Sequence, residues 1–331
     1  MQKGCMRPTP KALSRLRPDG SSKLLEEKMS VKMIVVGSIA YDSLQTPKGK
    51  REKALGGSAV YFSTVASYFT KVGLVGVAGK DFEAAHIQFL KDHGVDMAGF
   101  DLKKDGETFH WAGSYGEDFG DATTHDTRLN VFEAFDPQLP EEYRNAELVF
   151  LGNIHPALQL KVIEKVNKPK IIALDTMNLW INTTNDLLKQ AIKKIDILFI
   201  NFQEALMLSG EKKFAPAVAR LLEMGPKRIV VKMGELGAMT ATKETRFFTP
   251  AFPCLDITDP TGAGDSFAGG FMGSLARHGN YSETGFRHSM LYGSAMGSIT
   301  VENFSLDSYN NLRPELIEER FKALKAMATV D

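Results

Sequence analysis

The sequence predicts an α/β protein: a mainly parallel central sheet covered by helices, with a small antiparallel β lid attached. Short apolar runs alternate with helical stretches over most of the chain, the rhythm of βα units feeding a parallel sheet. Between about Val95 and Val131 that rhythm stops, and short Thr- and aromatic-rich segments separated by Gly and Asp take over. Near the C-terminal end, Asp259-Pro-Thr-Gly-Ala-Gly-Asp-Ser-Phe-Ala-Gly-Gly-Phe is a glycine-rich turn running into a helix.

A chain of 331 residues can bury a large core. Its formal net charge is zero, which argues against a nucleic-acid partner held through phosphate contacts. No apolar run approaches the roughly 18–20 residues that span a bilayer, so no membrane partner is expected. Cys5 and Cys254 make neither a disulfide framework nor a metal site. Nothing suggests secretion, and a cytoplasmic location is the default.

Residues 1 to about 30 carry scattered Lys and Arg and the turn-like Pro18-Asp-Gly-Ser-Ser, with no strand pattern. They read as a disordered extension, with a targeting peptide or an overlong start as alternatives. The folded domain then covers 31–325. Met33-Ile-Val-Val-Gly is a buried parallel strand by pattern. Lys48-Gly-Lys-Arg-Glu-Lys is a polar turn between extended pieces, and Gly56-Gly-Ser-Ala opens a helix through Ala66 and Phe69. Leu74-Val-Gly-Val-Ala is the next strand, and Phe82 to His93 is a helix closed by Gly94. The lid is assigned to about 43–55 and 95–131.

After Pro140 the rhythm returns, with strands at Leu148-Val-Phe-Leu, Ile171-Ile-Ala-Leu, Ile197-Leu-Phe-Ile and Arg228-Ile-Val-Val-Lys. Phe247 and Phe248 form an edge strand before two prolines, and Phe267, Ala268, Phe271 and Leu275 recur at helical spacing. Ligands of such sheets bind beyond the carboxyl ends of the strands. Asp42, Asp175, Asn201, Gly234 and Asp265 all fall at or shortly after predicted strand ends, so they can converge on one crevice.

The turn at 259–271 is where the chemistry concentrates. Gly262 and Gly264 allow a tight turn and a close approach to a ligand. The first amides of the helix are unpaired and make an anion site. Asp265 lies in that first turn. Alone it would merely decorate a helix start, but beside an anion cradle it suits a general base next to a transferring phosphoryl group.

Asp259-Pro-Thr-Gly-Ala-Gly-Asp265 resembles the signature of the ribokinase-like, or PfkB, carbohydrate kinase family, and the resemblance extends over about 31–325. It implies a three-layer ribokinase-like fold and ATP-dependent transfer of the γ-phosphoryl group to a hydroxyl of a small sugar or polyol. Asp265 is then the base, and the amides of Gly262, Ala263 and Gly264 face the charge that develops on the transferring group. On the acceptor side the resemblance implies Asp42 for substrate hydroxyls and Gly56, Gly57 and Ser58 as the Gly-Gly motif. Tyr61 stands where many sugar kinases of the family carry Asn. For the nucleotide it implies Asn201, Lys232, Gly234 and Gly237, with Gly293 and Ser294 near the adenine.

Asn201-Phe-Gln-Glu204 matches the family's Asn-x-x-Glu, which implies Mg²⁺ held at Glu204 through water. The same spacing is a capping box. Asp259 and the segment Ser294 to Ser305 match regions that hold a monovalent cation, K⁺, in several members. At Asp175-Thr-Met-Asn178-Leu-Trp180 the family's Arg is missing, and Lys232 could partly replace it. Ser58 and Tyr61 supply no cation, which disfavours a phosphorylated sugar. His110, Trp111, Tyr115 and His125 either pack the lid strands or cover a substrate. A homodimer through the lid is a further implication. A nucleoside kinase and a catalytically silent nucleotide or sugar sensor are the alternatives. A dinucleotide-dependent oxidoreductase is disfavoured because no Gly-x-Gly-x-x-Gly follows the first strand.

Overall fold

The computed structural model describes residues 31–329, so the expected N-terminal extension over 1–30 lies outside the described residues. The chain runs β1 (Met33–Val36), β2 (Ala40–Thr46), β3 (Gly49–Gly56), α1 (Ser58–Ala66), β4 (Val72–Ala78), α2 (Ala84–Asp92) and β5 (Asp96–Leu102). The next elements are β6 (Phe109–Ser114), β7 (Thr123–Arg128), β8 (Leu148–Leu151), α3 (Pro156–Lys165), β9 (Ile171–Asp175), α4 (Asn178–Thr183) and α5 (Asn185–Ile192). Then come β10 (Ile197–Asn201), α6 (Phe202–Ser209), α7 (Phe214–Glu223), β11 (Arg228–Lys232), β12 (Ala238–Ala241) and β13 (Arg246–Thr249). Helices α8 (Ala263–His278), α9 (Glu283–Thr300) and α10 (Pro314–Ala328) complete the fold.

Nine strands form one sheet in the order β13-β12-β11-β10-β9-β8-β1-β4-β5. Every pair from β11 to β5 is parallel, and β12 and β13 close one edge as an antiparallel hairpin. Successive side chains of a strand point to opposite faces, and here both faces are dry. Met33, Val35, Phe150 and Phe199 enter one core with α1, α8 and α9. Ile34, Val36, Leu151 and Leu198 enter the other with α3, α5, α6 and α7. This is why the strands read as unbroken apolar runs.

A second sheet, in the order β3-β2-β6-β7, consists of two antiparallel hairpin pairs joined by a parallel β2–β6 pairing. The expected lid boundaries need correction. The small sheet spans 40–56 and 109–128, while β5 pairs in parallel with β4 at the edge of the main sheet. The physical reason is exposure. Strand β5 is an edge strand with several solvent-facing positions, so its sequence, Asp-Met-Ala-Gly-Phe-Asp-Leu, lacks the apolar continuity of its neighbours. The helix expected from Phe82 to His93 spans Ala84–Asp92, with Gly94 at φ 75° after it.

Candidate active site

The carboxyl ends of β9, β10 and β11 and the start of α8 meet at one place. Gly262 caps α8 at φ 74°, and a Cβ added there would fall 2.4 Å from the Tyr61 ring. Only glycine fits this αL position against a fully buried tyrosine. Asp265 lies in the first turn of the helix. Burial, then the neighbouring Asp175, raise its pKa to about 7, and Lys232 pulls in the opposite direction.

Lys232, the last residue of β11, donates from Nζ to Asp175 Oδ2 at 2.7 Å. A Cβ added to Gly264 would lie 3.0 Å from that same Nζ. The ammonium therefore sits between Asp175 and the glycine turn. Burial opposes its charge, but Asp175, Glu204 and Asp265 outweigh it and hold its pKa above the ordinary lysine value. Asp175 Oδ1 accepts from the Thr176 amide at 2.9 Å, which fixes the carboxylate.

Asn201 and Glu204 form the capping box of α6. Asn201 Oδ1 accepts from the Glu204 amide at 2.8 Å, and Glu204 Oε2 accepts from the Asn201 amide at 2.9 Å. Burial, offset in part by Lys232, raises Glu204 to about 7. Among the described residues, no three His, Cys, Asp or Glu side chains gather into a metal cage.

On the other side of the crevice, Asp42 of β2 presses on the backbone of β3. A Cβ at Gly56 would lie 1.9 Å from Asp42 Oδ2. Burial, with Asp259 and Asp265 adding to it, raises Asp42 to about 8. Gly57 turns at φ 98° against the Ser38 carbonyl. The Ser58 hydroxyl pairs with Ser38 Oγ and accepts from the Ser38 amide, both at 3.2 Å, so it locks the Gly-Gly turn onto the loop after β1. The Tyr61 ring packs under Gly262, and its buried hydroxyl has no hydrogen-bond partner of acceptable geometry among the described residues. Phe62 stacks on Phe150 in the core.

Asp259 is buried, with Oδ1 accepting from the Thr261 amide at 3.0 Å and Oδ2 from the Ser305 amide at 3.1 Å. It thereby joins the glycine turn to the segment after α9. Gly234, at φ 58°, has open space where its side chain would be. Gly237, at φ 98°, backs tightly onto Thr249 and Pro250. Gly293 packs α9 on Phe267 of α8, and Ser294 is buried beside it.

Three contacts at the crevice go beyond what the motifs give. Tyr115, just past β6, reaches the glycine turn, with its hydroxyl 3.0 Å from Thr261 Oγ1. Ser305 holds Asp259 from a turn that carries no apolar strand pattern. Asn153, at the carboxyl end of β8, accepts from Trp180 Nε1 at 2.8 Å. Only Tyr115 had a sequence signal, the alternation Trp111, Gly113, Tyr115 along one strand face. His110, Trp111 and His125 bond to Ser43, Thr124 and Ser114, all within the lid.

An α/β scaffold with a glycine-rich turn opening a helix, a half-buried acid in that helix's first turn and a small sheet beside the crevice has the parts of a kinase-type site. The family model for pfkB family carbohydrate kinases matches residues 28–311, and the chain belongs to that family of kinases. The cytidine kinase of Thermococcus kodakarensis is 32% identical over 252 residues, covering 74% of this chain and 88% of that protein. The inositol 3-kinase of Arabidopsis thaliana is 26% identical over 315 residues, covering 90% and 82%. Among solved structures, the Methanocaldococcus jannaschii nucleoside kinase, a ribokinase-family member, superposes with a TM-score of 0.72 at 20% identity, over 89% of this chain and 99% of that one. Arabidopsis thaliana ribokinase complexed with ribose and ATP gives 0.71 at 21% identity, over 89% and 99%. No helix among the described residues is long and apolar enough to cross a membrane.

Proposed function

We propose that the chain transfers the γ-phosphoryl group of ATP to a hydroxyl of a small sugar or polyol, with Asp265 as general base. The observation that carries this reading is the half-buried Asp265 in the first turn of α8, within the field of Lys232. Asp265 takes the proton as the acceptor oxygen bonds to the γ-phosphorus and the bond to the ADP oxygen breaks. The amides of Gly262, Ala263 and Gly264 face the charge on the transferring group. Lys232 supplies the point charge where the family's Arg is missing. Asp42, set against Gly56 and Gly57, accepts from acceptor hydroxyls. Asn201, Gly234 and Gly237 line the nucleotide side, with Gly293 and Ser294 behind the adenine.

The donor set fits Mg²⁺. Glu204 is a buried carboxylate with a raised pKa that a cation would relieve, and Mg²⁺ commonly takes one or two carboxylates plus substrate phosphates and water. Bound there, it would neutralise charge on the phosphates. A K⁺ ion beside Asp259 is part of the same reading, and the assay is run with and without it. The free edges of β3 and β7 support a homodimer through the lid, which sedimentation velocity tests.

A nucleoside acceptor is the second reading. The observation favouring it is the 32% identity to a cytidine kinase over most of both chains. The test is an ATP-consumption screen over sugars, polyols and nucleosides with Mg²⁺. Acceptor-dependent ADP release supports the kinase reading. ATP binding without transfer to any acceptor would favour a silent sensor.

A further inference from the structure

The inner face of the lid can be assigned from its strand pairing. Asp42 of β2 lies directly across from Trp111 of β6 in the parallel register, so the two side chains leave the sheet on the same face. Alternation along β6 puts Gly113 on that face and continues it to Tyr115. The Tyr115 hydroxyl lies 3.0 Å from Thr261 in the turn that precedes Asp265. The face bearing Trp111 therefore looks into the crevice.

A Cβ added to Gly113 would fall 2.3 Å from Trp111 Cη2 and 2.4 Å from Cζ2, so the indole lies along the strand over bare backbone. Its Nε1 donates to Thr124 Oγ1 of β7 at 3.2 Å, which fixes the ring in that pose. The side chain remains half-exposed. A flat, fixed aromatic ring beside a carboxylate suited to a diol is a stacking platform.

We propose that Trp111 stacks on the planar base of the acceptor and that the acceptor is a nucleoside, its ribose diol at Asp42 and its base against the indole. This rests on the kinase reading above and selects the nucleoside as acceptor over the sugar or polyol. A free sugar or polyol would satisfy Asp42 and leave the indole uncovered.

The chain has two tryptophans, so a Trp180→Phe parent makes fluorescence report on Trp111 alone. The full-length parent is titrated with cytidine, adenosine, free ribose and myo-inositol in the absence of ATP. At least one nucleoside is expected to perturb Trp111 emission saturably, and ribose and inositol to leave it unchanged. In steady-state assays, Trp111→Leu should raise the nucleoside KM about 10- to 100-fold with kcat within a few-fold, and Trp111→Phe should recover most of the loss. Circular dichroism checks that both variants fold. Absence of any nucleoside-dependent fluorescence change, equal KM values in Trp111→Leu and the parent, or a preference for ribose over nucleosides would overturn the proposal. Those results leave the kinase reading intact if ADP is still released with ribose. Failure of the kinase reading would instead show as nucleoside binding without ADP release.

Discussion

Lys232 and Asp175 meet at 2.7 Å across the carboxyl ends of two strands that are not neighbours in the sheet, since β10 lies between β11 and β9. The bridge links the carboxyl ends of β9 and β11 and places a cation within reach of the glycine turn. Both side chains are largely shielded from water, so losing one partner leaves an uncompensated buried charge. Lys232→Met should lower kcat by about 10²-fold or more, the scale of removing one charge-stabilising group from a transferring centre. It should also move the acid limb of the pH–rate profile upward, because Lys232 lowers the Asp265 pKa. Asp175→Asn should move that limb downward, because Asp175 raises it. The profiles of the two variants, shifted in opposite senses, are the check.

The unaltered enzyme should show kcat/KM rising with pH through about 7, as Asp265 loses its proton. A base must be ionised to act, so activity falls below that value. A kcat/KM flat from pH 5.5 to 8.5 would contradict the assignment.

Stability should run the other way. Asp42, Asp265 and Glu204 have folded-state pKa values raised to about 8, 7 and 7, above those of free carboxylates. Between the unfolded and folded values the native state binds more protons, so the slope of unfolding free energy with pH is negative. Their contribution is fully present below about pH 4 and is lost as pH rises through 7 to 8. Asp42→Asn should therefore raise the melting temperature by a few degrees at pH 8 and much less at pH 5. Thermal unfolding at the two pH values in the absence of ligand tests this.

Gly56 should not tolerate a methyl group. The added Cβ of Gly56→Ala would overlap Asp42 Oδ2 at 1.9 Å, so either the strand or the carboxylate must move. The expected result is a destabilisation of about 1–3 kcal/mol with a raised acceptor KM and little change in nucleotide affinity. Denaturant unfolding and separate KM measurements for the two substrates distinguish this from a global defect.

The strands were legible because burial on both faces writes continuous apolar runs, as in Met33–Val36 and Arg228–Lys232. The glycine turn was legible because its geometry demands particular residues, with Gly262 in αL against Tyr61. Strand β5 is not separable from the lid by sequence, because an exposed edge strand and a lid strand have the same half-polar composition. The bridge from Lys232 to Asp175 and the reach of Tyr115 to Thr261 depend on strand order and lid placement, which local pattern does not encode. Asn201 and Glu204 showed the limit of a motif. Their spacing predicts the capping box that forms, and any role toward a metal needs the crevice around it.

The most direct test of the central claim is the rate of acceptor-dependent ADP release by Asp265→Asn, with ATP binding measured in parallel. The account predicts a loss of about 10²- to 10⁴-fold in kcat with ATP affinity largely retained, because the amide keeps the shape and removes the base. Turnover within a few-fold of the unaltered enzyme, on every acceptor it uses, would contradict it.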